Sequence, residues 1–167
     1  MPKIAVLLPE ETNYLRIANL MLRVAPPAVR VQFNNEFHPD KLQGTLKEQR
    51  FKILESLKGK RIINKPQWDK LFPKTDEVSS NSFDLMLMIC LIRHLIPVDV
   101  GDFFPVDPKN ISLGADLSRL KYYRNQVAHS EAGVLTDKTF ENYWNDITQV
   151  VNVVKSVKYN FEMGSPH

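Results

Sequence analysis

The chain has 167 residues, a length that suits one domain with a sizeable core, and its charged (25%) and hydrophobic (43%) fractions are those of a globular protein and not of a disordered one. A net charge of +3 and a sequence pI of about 8.9 tolerate a polyanionic partner without requiring one. The one cysteine, Cys90, excludes an intramolecular disulfide and a cysteine-held zinc, and reads as a reduced, buried thiol of a cytosolic or nuclear protein, with the cytoplasm the expected location.

Scarce glycine and long periodic apolar blocks favour helix throughout. "MPKIAVLLPEE" is too short in apolar residues for a signal peptide. Thr12 is a suitable N-cap for a first helix reaching about Arg23, with Tyr14, Ile17, Ala18 and Met21 at helical spacing. Pro26 and Pro27 end it and open a second helix, "PPAVRVQFNNEF", before a turn at His38-Pro39-Asp40. A third helix spans about 45–57 and closes at Lys58-Gly59, where glycine suits a left-handed cap.

"NKPQWDKLFP" predicts one or two helical turns anchored by Trp68, Leu71 and Phe72. After the polar loop "KTDEVSSNS", Asn81 or Ser82 caps a strongly apolar fourth helix that Pro97 stops. Its apolar window, 83–96, is shorter than the roughly 18–20 residues that span a bilayer, and it contains Asp84, Arg93 and His94, so no membrane partner is expected. "VDVGDFFPVDPKN" is irregular. Ser112 then caps the helix carrying "RLKYYRNQVAHS", with Asp116 favouring its early turns. The final helix, about 138–158, is the clearest, with Phe140, Tyr143, Trp144, Ile147, Val150, Val151 and Val154 following the helical rule unbroken. The pattern predicts a single all-α bundle of about five main helices, with a core from about 10 to 158 and a frayed tail "EMGSPH".

The helix after Ser112 contains an anomaly. Leu113, Leu117, Leu120 and Val127 form one stripe, and Arg124 falls in its middle. Three explanations stand: the stripe already faces solvent near the helix end, the arginine stem packs while its head reaches water, or an ion pair forms, with Asp84 as the nominated partner. Asn125, Gln126 and His129 follow at once, and Tyr122 and Tyr123 precede. A guanidinium fork suits phosphate oxygens, an imidazole exchanges protons near neutral pH, and an asparagine orients either group. Together they make a metal-free set for acting on a phosphodiester.

Arg124-Asn125-x-x-x-His129 resembles the R-x4–6-H motif of HEPN domains. The surrounding "DLSRLKYYRNQVAHS", a short linker and "DKTFENYWNDITQVV" are similar to the HEPN type of the DAZ-interacting zinc-finger ubiquitin ligase and related animal proteins, as are "WDKLFP" (68–73) and the helix opening at Phe83. Members often carry glycine before the histidine, where this chain has Ala128. The resemblance implies an all-α bundle and a metal-independent endoribonuclease without cofactor, acting in RNA processing or innate immunity. Two protomers would pair around one cleft. Arg124 would bind the scissile phosphate, His129 would move protons, Asn125 would hold the geometry, and the product would be a 2′,3′-cyclic phosphate. Asp84, Tyr123, Gln126 and Ser130 are candidates for support or RNA contact. The alternative implied is a non-catalytic module that binds RNA or mediates dimerisation within a larger signalling or ubiquitin-pathway protein.

One geometric condition applies. Positions 124 and 129 lie roughly 140° apart on an ideal helix, so they converge only if the helix ends near Ala128 or two chains share the cleft. His38, His94 and His167 read as structural or solvated, and Trp68 and Trp144 as core. The basic group Lys47, Arg50, Lys52, Lys58, Lys60 and Arg61 reads as a solvated face interrupted by Glu48 and Glu55.

Overall fold

The computed structural model describes residues 6–101, 104–105 and 107–156, all of whose regular structure is helical. Helix α1 (Pro9–Asn19) runs through a π-helical turn (Leu20–Val24) into α2 (Ala25–Glu36). Likewise α3 (Pro39–Gln49) passes through a second π turn (Arg50–Leu54) into α4 (Glu55–Gly59). The short α5 (Lys65–Leu71), the apolar α6 (Leu85–Leu95), α7 (Leu113–Ala128) and α8 (Asp137–Lys155) complete the bundle. The all-α expectation holds. His167, the tail and the expected reach of the last helix to 158 lie outside the described residues.

The helix ends follow local chemistry. Ser112 caps α7 as expected, its hydroxyl accepting the Ala115 N–H at 3.2 Å. Thr12 is not a cap: α1 begins three residues earlier, where Pro9 fills the first turn and Glu11 accepts the Leu8 N–H at 2.9 Å. Asn81 and Ser82 form a 3₁₀ turn, and Asp84 caps α6 instead. At the end of α4 the left-handed residue is Arg61 (φ 62°), not Gly59. The Ile62 N–H donates to the Leu57 carbonyl at 2.9 Å, closing the helix in a Schellman-type wrap.

A contiguous core draws on every helix. Ile17, Val29, Phe33, Leu42, Leu54, Leu71, Leu87, Leu91, Leu117, Leu120, Ile147 and Val154 are all deeply buried. Helix α8 lies along α2, α7 and α1, burying Ile147, Val150, Val151 and Val154, the stripe its periodicity predicts. Trp68 is core; Trp144 is half-buried, with the Arg16 guanidinium stacked 5.0 Å from its ring.

The first two turns of α7 are enclosed on every side: residues 113–120 are all buried. Gly114 lies against the loop before it, where an added Cβ would fall 2.1 Å from the Asp99 carbonyl oxygen. Enclosure at this depth demands pairing of any charge. Arg119, only 5% exposed, donates to the Asp116 carboxylate at 2.7 Å. The arginine held in the packed part of α7 is therefore Arg119.

Candidate functional site

The last two turns of α7 emerge from the bundle. Arg124, Gln126, Ala128 and His129 are exposed, while Asn125, Val127 and Ser130 are half-buried. This corrects the placing of Arg124 in a buried stripe. Angle around a helix fixes a face, but burial also depends on depth along the axis, and α7 has left the core by residue 124. Of the three explanations for Arg124, the solvent-facing helix end is the one observed. Its Nη1 donates to the Asn125 Oδ1 at 3.3 Å.

The ion pair nominated between Arg124 and Asp84 does not form. Asp84 Oδ1 accepts the Leu87 N–H at 2.7 Å, and both carboxylate oxygens receive the Gln67 side-chain amide at 3.3 Å. Asp84 is the N-cap of α6, where its carboxylate meets N–H groups that the helix itself leaves open.

The helix ends at Ala128, and His129 is its C-cap, with its N–H still bonded to the Asn125 carbonyl at 2.9 Å. Asn125 and His129 are thus one turn apart on one face. With Gln126, Val127 and Ser130 they line a cleft of about 230 Å³, whose far wall is Tyr14 of α1, Leu135 and Tyr143 of α8. Arg124 is not in that lining; it meets the site through Asn125.

Several contacts hold this end of α7. The Tyr14 hydroxyl donates to the Val127 carbonyl at 2.8 Å, satisfying one of the acceptors a helix end leaves open. Ser130 Oγ accepts the Gly133 N–H at 3.1 Å, and Gly133 takes a left-handed φ of 66° that lets the chain turn away. Asn13 donates to the Leu135 carbonyl (3.1 Å) and to Asp137 (2.9 Å), and the Leu135 N–H donates to the Glu10 carbonyl at 3.0 Å. Helix α1 thereby fixes the linker that forms one cleft wall.

Tyr123 does not face the cleft. It is buried behind the motif, stacked edge-on against Tyr143 (4.8 Å) and Tyr122 (5.3 Å), and its hydroxyl donates to Asp146. Burial, then the Asp146 hydrogen bond and charge, hold its phenol well above the usual range. Burial and the neighbouring Tyr122 likewise raise Tyr143. Tyr143 therefore lines the cleft as a neutral phenol. Cys90 is pushed up to about 11, chiefly by burial, which suits an unreactive thiol.

The structure therefore brings Asn125, Gln126, His129 and Ser130 to one cleft, with Arg124 at its edge, Tyr123 behind it and Asp84 elsewhere. Sequence reasoning missed Tyr14, Leu135 and Tyr143, which reach the cleft from α1, the linker and α8. The helical spacing of Tyr14 and Tyr143 was visible, but not what they face.

A family model described as DZIP3/hRUL138-like HEPN matches residues 39–165. The chain belongs to the HEPN family, of the DZIP3-like type. The match takes in α3 to α8 and therefore the whole Arg124–His129 motif, while α1 and α2 precede it. Searches of the curated proteins and of the solved structures return no match. Among the described residues of this HEPN chain, no helix is long and apolar enough to cross a membrane.

Proposed function

We propose that this HEPN chain is a metal-independent endoribonuclease whose working unit is a homodimer. The observation that carries the reading is the end of α7, where Asn125 and His129 open into one cleft and exposed Arg124 is tethered to Asn125.

In this mechanism Arg124 binds the non-bridging oxygens of the scissile phosphate and offsets the charge that grows there. One imidazole removes the proton from the RNA 2′-hydroxyl as its oxygen attacks phosphorus. The P–O5′ bond breaks, a second acid protonates the leaving 5′-oxygen, and a 2′,3′-cyclic phosphate remains. One chain supplies one suitably placed histidine, so His129 of a second copy supplies the other role. The position of Arg124 outside its own chain's cleft fits this division. Asn125 fixes the guanidinium, and Tyr143 and Gln126 offer hydrogen bonds to the strand.

The same position of Arg124 also favours a second reading: a non-catalytic module that binds RNA or dimerises within a larger signalling or ubiquitin-pathway protein. Incubating the purified chain with end-labelled single-stranded RNA in excess EDTA, beside Arg124→Ala and His129→Ala, separates the two. Cleavage by the unaltered chain that falls at least about 100-fold in each variant supports the nuclease. Undiminished cleavage by His129→Ala overturns it, and binding without cleavage selects the module.

A further inference from the structure

A second face of the molecule shares no residue with the His129 cleft. Residues 47–61 hold Lys47, Arg50, Lys52, Lys58, Lys60 and Arg61 against Glu48 and Glu55, a net +4 (six basic, two acidic) where the whole chain carries +3. The rest of the chain is therefore net negative, and the basic surplus is local.

This stretch is also where α3 breaks into the π turn Arg50–Leu54, with the Glu55 N–H donating to the Arg50 carbonyl. A π turn adds a residue and rotates the following helix face, and such turns recur at functional sites. Phe51, within the turn, is 79% exposed. One exposed ring is ordinary in itself; the neighbours of Phe51 distinguish it. The Arg50 guanidinium lies 5.2 Å from the Phe51 ring and 4.8 Å from that of Phe72, and the Lys58 ammonium lies 4.7 Å from the ring of Trp68. Beside them opens a cleft of about 200 Å³ bordered by Gln43, Lys47, Arg50, Phe72 and Pro73.

We infer that this face binds single-stranded RNA, with an unpaired base stacked on Phe51 and the backbone phosphates following Lys47, Arg50, Lys52 and the Lys60-Arg61 corner. Aromatic rings interleaved with cations are the means by which proteins hold single strands without reading sequence. An apolar protein partner would leave the cations unmatched, and a duplex would hide the bases that Phe51 needs. Asp76 faces Lys47 at 3.5 Å, Glu55 faces Arg50 at 3.3 Å and Glu48 faces Lys52 at 3.6 Å. These pairs are solvent-accessible, hence weak, and phosphate oxygens can replace the carboxylates. This cleft shares no lining residue with the one at His129, so it acts as a separate hold on the strand. The inference requires RNA as ligand but not cleavage.

The test is fluorescence anisotropy of the full chain with a labelled 2′-O-methyl uridine oligomer of about 12 nucleotides, which presents bases and phosphates but no nucleophile. Phe51→Ala is expected to weaken binding about tenfold, Phe51→Trp to keep it, and Lys52→Glu with Lys60→Glu to weaken it and flatten its salt dependence. Because Phe51 is exposed, these losses occur with an unchanged circular dichroism spectrum. Absence of binding by the unaltered chain, an affinity of Phe51→Ala within about twofold of it, or equal affinity for a duplex of the same length overturns the inference. Binding with no cleavage of ordinary RNA fails the nuclease reading alone; cleavage with binding indifferent to Phe51 fails this inference alone.

Discussion

The Tyr14 hydroxyl donates to the Val127 carbonyl at 2.8 Å, joining the first helix to the last turn of the helix that presents the Arg-Asn-His motif. Two segments more than a hundred residues apart thus share one hydrogen bond at the mouth of the candidate site. It ties α1 to the turn of α7 that leads into His129.

Tyr14→Phe removes this bond while keeping the ring. The expected loss of stability is about 0.5–1.5 kcal/mol by urea unfolding. RNA cleavage should fall by more than stability explains, because the last turn of α7, which leads into His129, loses a hydrogen bond that holds it. An unchanged cleavage rate would show that Tyr14 serves the fold alone.

Asp116 and Arg119 form a buried pair in the enclosed half of α7. Breaking the pair, by Arg119→Met or Asp116→Asn, should cost about 3–5 kcal/mol, because it removes a buried charge-assisted hydrogen bond. The double variant Asp116→Asn/Arg119→Met should lose less than the sum of the two single losses. Strict additivity of the two single losses in denaturant unfolding would contradict the pairing.

Gln32 of α2 is fully buried, and among the described residues neither its Oε1 nor its Nε2 has a hydrogen-bond partner. An unsatisfied amide of this kind costs about 1–3 kcal/mol. Gln32→Met, close in shape and without the polar atoms, should raise the urea midpoint. A lower midpoint would mean that the amide is satisfied in solution.

The raised phenol of Tyr123 sets an alkaline limit. The folded state prefers the neutral hydroxyl that donates to Asp146, so this contribution is complete below the unfolded phenol value near 10 and is lost as pH rises above it. Tyr123→Phe should be less stable at neutral pH, and the difference between the two proteins should narrow above about pH 10. A gap that stays constant with pH would exclude this linkage.

Much of the fold was legible because long helices repeat a simple pattern. The stripe of α8 and the Ser112 cap of α7 follow from spacing and capping chemistry alone. The π turns at Leu20–Val24 and Arg50–Leu54 carry no comparable signal in spacing or capping residues. Asp84 was nominated for Arg124 on charge, but the N–H groups one turn away in its own chain claimed it. The motif residues themselves were legible, since Asn125 and His129 are set one turn apart by the sequence. Their surroundings were not: Tyr14 and Tyr143 arrive through tertiary packing, and helical angle alone could not show that α7 surfaces at residue 124.

The central claim is that this HEPN chain cleaves RNA by attack of the 2′-hydroxyl, using Arg124 and His129. It is tested most directly by end-group analysis of a single-stranded RNA and of the same RNA carrying one 2′-deoxynucleotide at the preferred cut, both in excess EDTA. The account predicts a 2′,3′-cyclic phosphate from the first and no cut at the substituted position in the second. Cleavage that leaves a plain 3′-hydroxyl and a 5′-phosphate, or an undiminished cut beside the deoxynucleotide, would contradict it.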